Sequence, residues 1–205
     1  MKKNDLQDID WNELTFSVTP TRSMYMAHCD IGGEWKNGTL VPFGDIPMSP
    51  AAGVLNYGQG IFEGMKAYRT KKERVVLFRP EKNALRAASS AERVCIPKVP
   101  INMFMDAIEQ VVKDNIDYVP PLGKGSLYIR PVIWGTGPIL GVAPAPSYTF
   151  LIYVSPVGPY FKTGLRCLNL RITNQFHRAA PKGTGGHKVI GNYAASLFPQ
   201  RMVKR

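Results

Sequence analysis

The chain has 205 residues, 44% of them hydrophobic and 20% charged, and its formal net charge is +11. This composition is typical of a globular protein large enough to bury a sizeable core. The charge is compatible with nucleic acid, with an anionic substrate or cofactor, or with the chain being a piece of a more balanced protein. The cations are scattered, without zinc-ligand spacing, a basic heptad or an aromatic RNA-binding pattern. Nucleic acid is therefore the least supported partner.

The N-terminus and the cysteines predict a cytosolic protein. Residues 1–10 are polar and acidic after two lysines, unlike a secretion signal or an organelle transit peptide. No apolar run approaches the length that spans a membrane. The cysteines are odd in number and widely spaced, which favours reduced thiols: Cys29, Cys95 and Cys167. A plastid or mitochondrial location stays open for the case of an incomplete N-terminus.

The first third of the chain predicts strands and one short helix. Strands are expected over residues 11–18, 24–29 and 40–43. After two prolines, residues 51–62 begin as a short helix that would bring Tyr57 and Phe62 towards a common site. The following alternating stretch and residues 74–79 are expected to pair as a hairpin.

The rest of the chain predicts two helices and three strands. Residues 84–94 are rich in helix formers, and residues 101–118 carry an apolar stripe at helical spacing. Strands are expected at 126–134, 148–157 and 168–173. The mixed order favours an α+β fold with a mostly antiparallel sheet and flanking helices. We expect an N-terminal α+β domain over 1–160, and a linker with the incomplete start of a cofactor-binding domain over 161–205.

Several familiar sites are excluded by spacing. A P-loop lysine follows a glycine and precedes a serine or threonine, whereas Lys188 lies between a histidine and a valine. The glycines of residues 135–141 resemble a dinucleotide fingerprint, but the third is one residue late and Pro138 lacks the required N–H. The histidines are too far apart to predict a metal site or a catalytic triad: His28, His177 and His187.

Lys188 is the strongest candidate for chemistry. Two aliphatic residues follow it, and partial desolvation favours the neutral amine that imine formation requires. Taken alone, the glycine-rich window also fits a surface loop with a solvated lysine. Tyr193 lies five residues later, and Arg86 offers a phosphate-binding guanidinium on a predicted helix. Lysine, cation and phenol together fit a pyridoxal phosphate enzyme.

Five stretches of the chain carry distinctive motifs: residues 56–69 (NYGQGIFEGMKAYR), 77–86 (LFRPEKNALR), 125–131 (GSLYIRP), 153–161 (YVSPVGPYF) and 183–193 (GTGGHKVIGNY). Together, and in this order, they resemble the branched-chain amino acid aminotransferases, which are fold-type IV pyridoxal phosphate enzymes, and the motifs are most similar to those of the plant members. The resemblance runs from about Trp11 to Phe198. It is specific for the family and weak for the substrate within it.

The resemblance implies an activity and a set of site residues. Lys188 would carry pyridoxal 5'-phosphate and move a proton, Arg86 would bind its phosphate, and Tyr193 would contact its phenolic oxygen. The reaction would transfer an amino group between leucine, isoleucine or valine and 2-oxoglutarate. Methionine-derived oxo acids stay open, and the family implies a homodimer. The residues that would line the substrate pocket are Tyr57, Phe62, Tyr128 and Arg130.

The end of the chain departs from the resemblance. The family continues into a second lobe, which would supply a glutamate facing the pyridine nitrogen. Residues 199–205 no longer resemble it, and Pro199 is expected to interrupt a helix that begins near Asn192. We therefore expect a truncated chain. One alternative is an inactive relative that associates with an intact subunit, and a remote alternative is a basic nucleic-acid-binding protein.

Overall fold

The computed structural model describes residues 9–159, 167 and 169–203. The longest helices there have 14 residues, and none is long and apolar enough to cross a membrane. The strands are β1 Ser23–Asp30, β2 Thr39–Pro42, β3 Gly60–Phe62, β4 Met65–Arg69, β5 Val75–Leu77, β6 Ser126–Gly135 and β7 Ser147–Val157. The helices are α1 Gly53–Tyr57, α2 Pro80–Arg93, α3 Ile101–Asp114, α4 Gly191–Ala194 and α5 Leu197–Val203.

The strands form one antiparallel sheet of seven strands in the order β2-β1-β7-β6-β4-β5, with β3 also paired to β6. The long β6 pairs with β7 along one edge over its whole length. Its other edge is shared, because β3 covers Val132 to Trp134 and β4 covers Leu127 to Ile129. The chain crosses between these two short strands at Glu63 and Gly64. The candidate site lies around this crossing.

Helices α2 and α3 cover one face of the sheet and enclose the main core. The buried stripe of α3 has helical spacing, and the Phe104 ring stacks on Phe150 of β7 at 5.4 Å between centroids. Burying a phenylalanine side chain of this kind stabilises the fold by about 1.5–3 kcal/mol. The buried residues of α2 are small, which lets that helix approach β3 closely: Ala84, Ala87, Ser90 and Ala91.

The predicted α+β class with a mostly antiparallel sheet is confirmed. The predicted helices at 84–94 and 101–118 are present, and the second ends at Asp114 before a 3₁₀ turn at Ile116–Tyr118. The predicted strands at 24–29, 40–43, 126–134 and 148–157, and the β4–β5 hairpin, are also present. The predicted domain boundary at 160/161 lies outside the described residues.

Two local predictions were wrong. Residues 11–18 form no strand, because the segment is held by isolated hydrogen bonds, such as Gly158 N–H to Thr15 O, and not by a ladder. Within the described residues 169–173 there is no strand, and Ile172 is 97% exposed; Leu168 lies outside the described residues. The predicted interruption of the helix that begins near Asn192 is present: α4 ends at Ala194, residues 195–196 form a turn, and Pro199 lies in the first turn of α5, where a missing N–H is tolerated.

Candidate active site

Strand alternation places three predicted pocket residues together on the sheet face opposite the helices. Phe62 of β3 and Tyr128 and Arg130 of β6 point away from the main core. The Arg130 guanidinium lies 4.7 Å from the centre of the Phe62 ring and 5.1 Å from that of Tyr128. Its Nη2 donates to Tyr128 Oη at 2.9 Å. The Arg130 Nε is buried and has no hydrogen-bond partner among the described residues.

The Lys188 backbone is held between a strand and a helix. The Phe62 N–H donates to the Lys188 carbonyl at 3.2 Å, and the Lys188 N–H donates to Ser90 Oγ of α2 at 2.9 Å. Val189 forms an antiparallel bridge with Ile61, and the Ile190 N–H donates to the Gly60 carbonyl at 3.0 Å. Residues 188–190 therefore pair with the free edge of β3 as a short extended segment.

The buried side-chain amide of Asn192, which follows Lys188 in the chain, holds the glycine-rich turn that precedes the lysine. Asn192 is 5% exposed, and its Nδ2 donates to the carbonyls of Thr184 and His187, both at 2.8 Å. Thr184 Oγ1 in turn donates to Asn192 Oδ1 at 2.7 Å. The amide thus satisfies backbone carbonyls that the irregular glycine-rich chain leaves without ladder partners.

The Lys188 side chain ends beside a phenol and above an aromatic ring. Its Nζ donates to Tyr193 Oη at 3.1 Å and lies 4.0 Å from the centre of the Phe62 ring. The Phe62 and Tyr193 rings meet edge to face at 4.6 Å. Tyr193 is brought here by α4, which begins directly after the extended segment 188–190. The amine is partly exposed, so a substrate or cofactor can reach it.

Arg86 lies on the α2 side of the crossing and is bound by a buried acid. Its Nε and Nη2 donate to the two carboxylate oxygens of Glu63 at 2.6 and 2.7 Å. The hydrogen bond with Glu63 raises the pKa of the guanidinium above its ordinary value, against the opposing effect of burial. Asn83, one turn earlier on α2, donates to the same carboxylate at 2.8 Å. The Arg86 side chain is 53% exposed, which leaves its remaining donors accessible.

Tyr57 is the predicted site residue that the structure does not bring to this cluster. Its hydroxyl donates to the Leu140 carbonyl in the connection between β6 and β7. Sequence reasoning also missed Glu63 and Ser90, which are both 0% exposed. A signal for Glu63 was available, since alternation along the strand puts it on the same side as the buried Met65. An acid at such a position requires a partner.

An amine, a phenol and two arginines suit a ligand with a carbonyl group and two anionic groups. The amine can attack the carbonyl, and each guanidinium can bind an anion. Among the described residues, no group of three or more histidine, cysteine, aspartate or glutamate side chains could hold a metal ion.

Comparison of the sequence with known proteins shows the family to which the chain belongs. The branched-chain-amino-acid aminotransferase 5, chloroplastic, of Arabidopsis thaliana is 54% identical over 200 residues, which are 98% of this chain and 48% of that protein. A methionine aminotransferase of the same plant is 46% identical over 198 residues, 97% of this chain and 56% of that protein. The chain thus spans about half the length of the curated relatives it matches.

Structural comparison agrees with this relationship. A branched-chain aminotransferase of the archaeon Thermoproteus uzoniensis, solved with norvaline, matches with a TM-score of 0.65 and 25% identity, over 88% of this chain and 56% of that one. Another branched-chain amino acid aminotransferase, solved with pyridoxamine 5'-phosphate, matches with a TM-score of 0.69 and 28% identity, over 91% of this chain and 56% of that one. The model of the amino-transferase class IV family matches residues 60–205. That range includes the lysine, the arginines and the phenols of the site, and the chain belongs to the class IV aminotransferase family.

Proposed function

We propose that the chain provides the lysine, the phosphate-binding side and part of the substrate pocket of a branched-chain amino acid transaminase. The reaction moves an amino group between leucine, isoleucine or valine and 2-oxoglutarate, with pyridoxal 5'-phosphate as cofactor. One observation carries the proposal: the Lys188 amine is hydrogen-bonded to Tyr193 at 3.1 Å and lies over the Phe62 ring. Relatives named as branched-chain aminotransferases support the substrate class.

The residues around Lys188 fit this cofactor. Pyridoxal phosphate supplies an electron sink that makes the hydrogen on the substrate's α-carbon acidic. In the proposal, Lys188 would hold the cofactor by condensing its amine with the cofactor's aldehyde, which releases water, and Nζ would then move the proton of the substrate's α-carbon. Arg86 binds the phosphate, and Tyr193 Oη orients the amine and contacts the cofactor's phenolic oxygen. The donor set supports this assignment, because it combines one nucleophile, one phenol and one half-exposed guanidinium.

The substrate side of the proposal is the opposite sheet face. In the proposal, the Arg130 guanidinium and the Tyr128 hydroxyl, which are hydrogen-bonded to each other, bind a carboxylate of the substrate. The Phe62 ring is an apolar wall. In the proposal, Tyr57 lines the pocket together with the connection between β6 and β7, to which its hydroxyl donates at the Leu140 carbonyl. The methionine aminotransferase among the relatives makes methionine-derived oxo acids the first competing substrates to measure.

Cofactor attachment is the direct test. The purified chain is titrated with pyridoxal 5'-phosphate, reduced with borohydride, and digested for mass spectrometry. We expect the added mass on Lys188, and no absorbance change in the visible region for Lys188→Arg. Lys113→Ala is the matched control, since that lysine is 73% exposed on α3 and away from the site. Modification spread over surface lysines would contradict the proposal.

Turnover and assembly are measured separately. Glutamate formation from leucine and 2-oxoglutarate tests the reaction, and analytical ultracentrifugation tests the proposed homodimer. A second candidate role, as a partner of an intact related subunit, is favoured by the exposed apolar side chains of residues 169–203, such as Leu170 at 88% and Ile172 at 97%. No cofactor attachment, together with co-purification of a full-length relative, would favour this second role.

The proposed compartment is a plastid. This proposal is supported by similar plant enzymes, which are named as chloroplastic, whereas the composition of residues 1–10 predicted the cytosol. Imaging the product of the whole gene fused to a fluorescent protein separates the two. Signal confined to the cytosol would remove the plastid from the proposal.

A further inference from the structure

Glu63 is a charged residue that no step of the proposed function uses, although it lies beside the site. It is fully buried, at 0% exposure, directly after β3. Alternation along the chain turns it towards α2, whereas its neighbour Phe62 points to the opposite face. A carboxylate taken out of water is strongly unfavourable unless it is paired and hydrogen-bonded. Its partners therefore indicate what it does.

Both carboxylate oxygens of Glu63 are directed at α2. One accepts from Arg86 Nε at 2.6 Å, and the other accepts from Arg86 Nη2 at 2.7 Å and from Asn83 Nδ2 at 2.8 Å. Such a two-point contact fixes the plane of the guanidinium as well as its position. Asn83 also donates to the Gly64 carbonyl at 3.2 Å, so the acid and the strand crossing are held together.

The contact leaves the other edge of Arg86 available. A guanidinium has five N–H donors; Glu63 takes two of them, so three remain. The side chain is 53% exposed, and those donors are accessible to an anion. Four residues later on the same face of α2, Ser90 accepts the Lys188 N–H at 2.9 Å. One helix therefore sets the spacing between the free edge of Arg86 and the reactive lysine.

We propose that Glu63 is a positioning residue for phosphate recognition, which holds Arg86 so that its free edge binds the phosphate of the cofactor at a fixed distance from Lys188. The inference rests on the proposed function and adds a residue and a mechanism to it. The competing explanation is a buried ion pair that merely fastens α2 to β3. That explanation predicts a loss of stability and no selective loss of phosphate affinity.

Glu63→Gln separates these explanations. The amide keeps the shape of the side chain, and Arg86 can turn to solvent, so no unpaired charge stays buried. We expect the dissociation constant for pyridoxal 5'-phosphate to rise about tenfold or more, because a charge-assisted two-point contact no longer orients the arginine. Binding of pyridoxal, which has no phosphate, should be unchanged. The matched control is Glu81→Gln, an exposed acid of α2 that lies 3.7 Å from Arg79.

A double-mutant cycle tests whether Glu63 acts through Arg86. In Arg86→Gln the phosphate-binding guanidinium is gone, so adding Glu63→Gln should cause no further loss of affinity for pyridoxal 5'-phosphate. Equal losses for the two ligands in Glu63→Gln, or additive losses in the double variant, would overturn the proposal and leave cofactor binding by Lys188 standing.

A measurement without cofactor keeps the inference testable if the proposed function fails. In ¹⁵N-resolved spectra, we expect a slowly exchanging Arg86 Nε–H, assigned by its loss in Arg86→Lys and displaced on addition of inorganic phosphate. Glu63→Gln should abolish both the protection and the phosphate response. If the wild-type chain binds no pyridoxal 5'-phosphate, the proposed function fails. An Arg86 signal that is the same with and without Glu63 overturns the positioning role.

Discussion

The contact between Lys188 and Tyr193 can be tested by removing a single oxygen. Tyr193→Phe deletes the hydroxyl that accepts from Nζ at 3.1 Å and keeps the ring that packs on Phe62 at 4.6 Å. Since the hydroxyl orients the amine, we expect attachment of pyridoxal 5'-phosphate to slow by about tenfold. Stopped-flow absorbance gives the rate. Tyr68→Phe, at a tyrosine that is 44% exposed on β4, is the control. Equal rates for both variants would show that the hydroxyl does not orient the amine.

Gly64 is a residue whose missing side chain makes room for another site residue. A Cβ at this position would lie 2.2 Å from Tyr128 Oη and 3.0 Å from Cζ. Gly64→Ala therefore has to displace the phenol and break its hydrogen bond with Arg130. Overpacking of this kind costs about 1–3 kcal/mol, which urea denaturation measures as a lower free energy of unfolding.

The Tyr128→Phe background serves as the control for Gly64→Ala. It removes the atom with which the new methyl group collides, so the cost of the alanine should fall by more than half, to roughly 1 kcal/mol or less. The same cost in both backgrounds would place the strain in the backbone at residue 64 and not at the phenol.

At the scale of elements, the segment that carries the lysine depends on a glycine in β3. A Cβ at Gly60 would lie 2.5 Å from Ile190 Cδ1 and 3.3 Å from Trp134 Cβ. Gly60→Ala should displace the Ile190 side chain and so loosen the packing of residues 188–190 on β3. We expect faster cleavage by trypsin after Lys188, because proteolysis requires local opening.

Gly191→Ala is the matched control for this element. Nothing lies within 4 Å of a Cβ built there, and Gly191 begins α4. Alanine favours a helix over glycine by roughly 1 kcal/mol, so this variant should be cleaved no faster than the wild type. Faster cleavage of Gly191→Ala than of Gly60→Ala would show that α4, and not β3, holds the lysine segment.

Elements with strong periodicity could be predicted from the sequence, and isolated extended segments could not. The apolar stripe of α3 and the alternation in β6 predicted both elements, because each has a partner surface that its pattern matches. Residues 11–18 also alternate, but Val18 is 54% exposed and the segment has no ladder. Pairing depends on which strands become neighbours, and local pattern does not contain that information.

The candidate site shows the same division. Lys188, Tyr193, Phe62, Tyr128 and Arg130 were singled out by sequence, and the fold brings them together. The buried links, Glu63 to Arg86 and Ser90 to the Lys188 N–H, join residues 23 and 98 positions apart. Such contacts become visible only when α2 is packed on β3. Their roles as catalytic or binding residues stay predictions until the experiments above are done.

At the scale of the whole molecule, one buried thiol and two buried phenols limit stability at alkaline pH. Burial raises the pKa of the Cys29 thiol and of the Tyr25 and Tyr148 phenols above their ordinary values. These groups keep their protons in the folded state at a pH where the unfolded chain has lost them. Their stabilising contribution is complete below the unfolded values and falls as the pH rises from about 9 for the thiol and about 10 for the phenols.

The prediction is a free energy of unfolding that declines above about pH 9, with a smaller decline for Tyr148→Phe. Tyr148 is 1% exposed and donates to the Cys95 carbonyl at 3.2 Å, so its ring stays buried when the ionisable oxygen is removed. Lysine deprotonation also reduces the repulsion within a chain of net charge +11 in this range, which acts in the opposite direction. Comparing variants at each pH removes that background. Tyr68→Phe, at an exposed phenol, should follow the wild type; an equal change in both variants would mean that burial of Tyr148 does not set the alkaline limit.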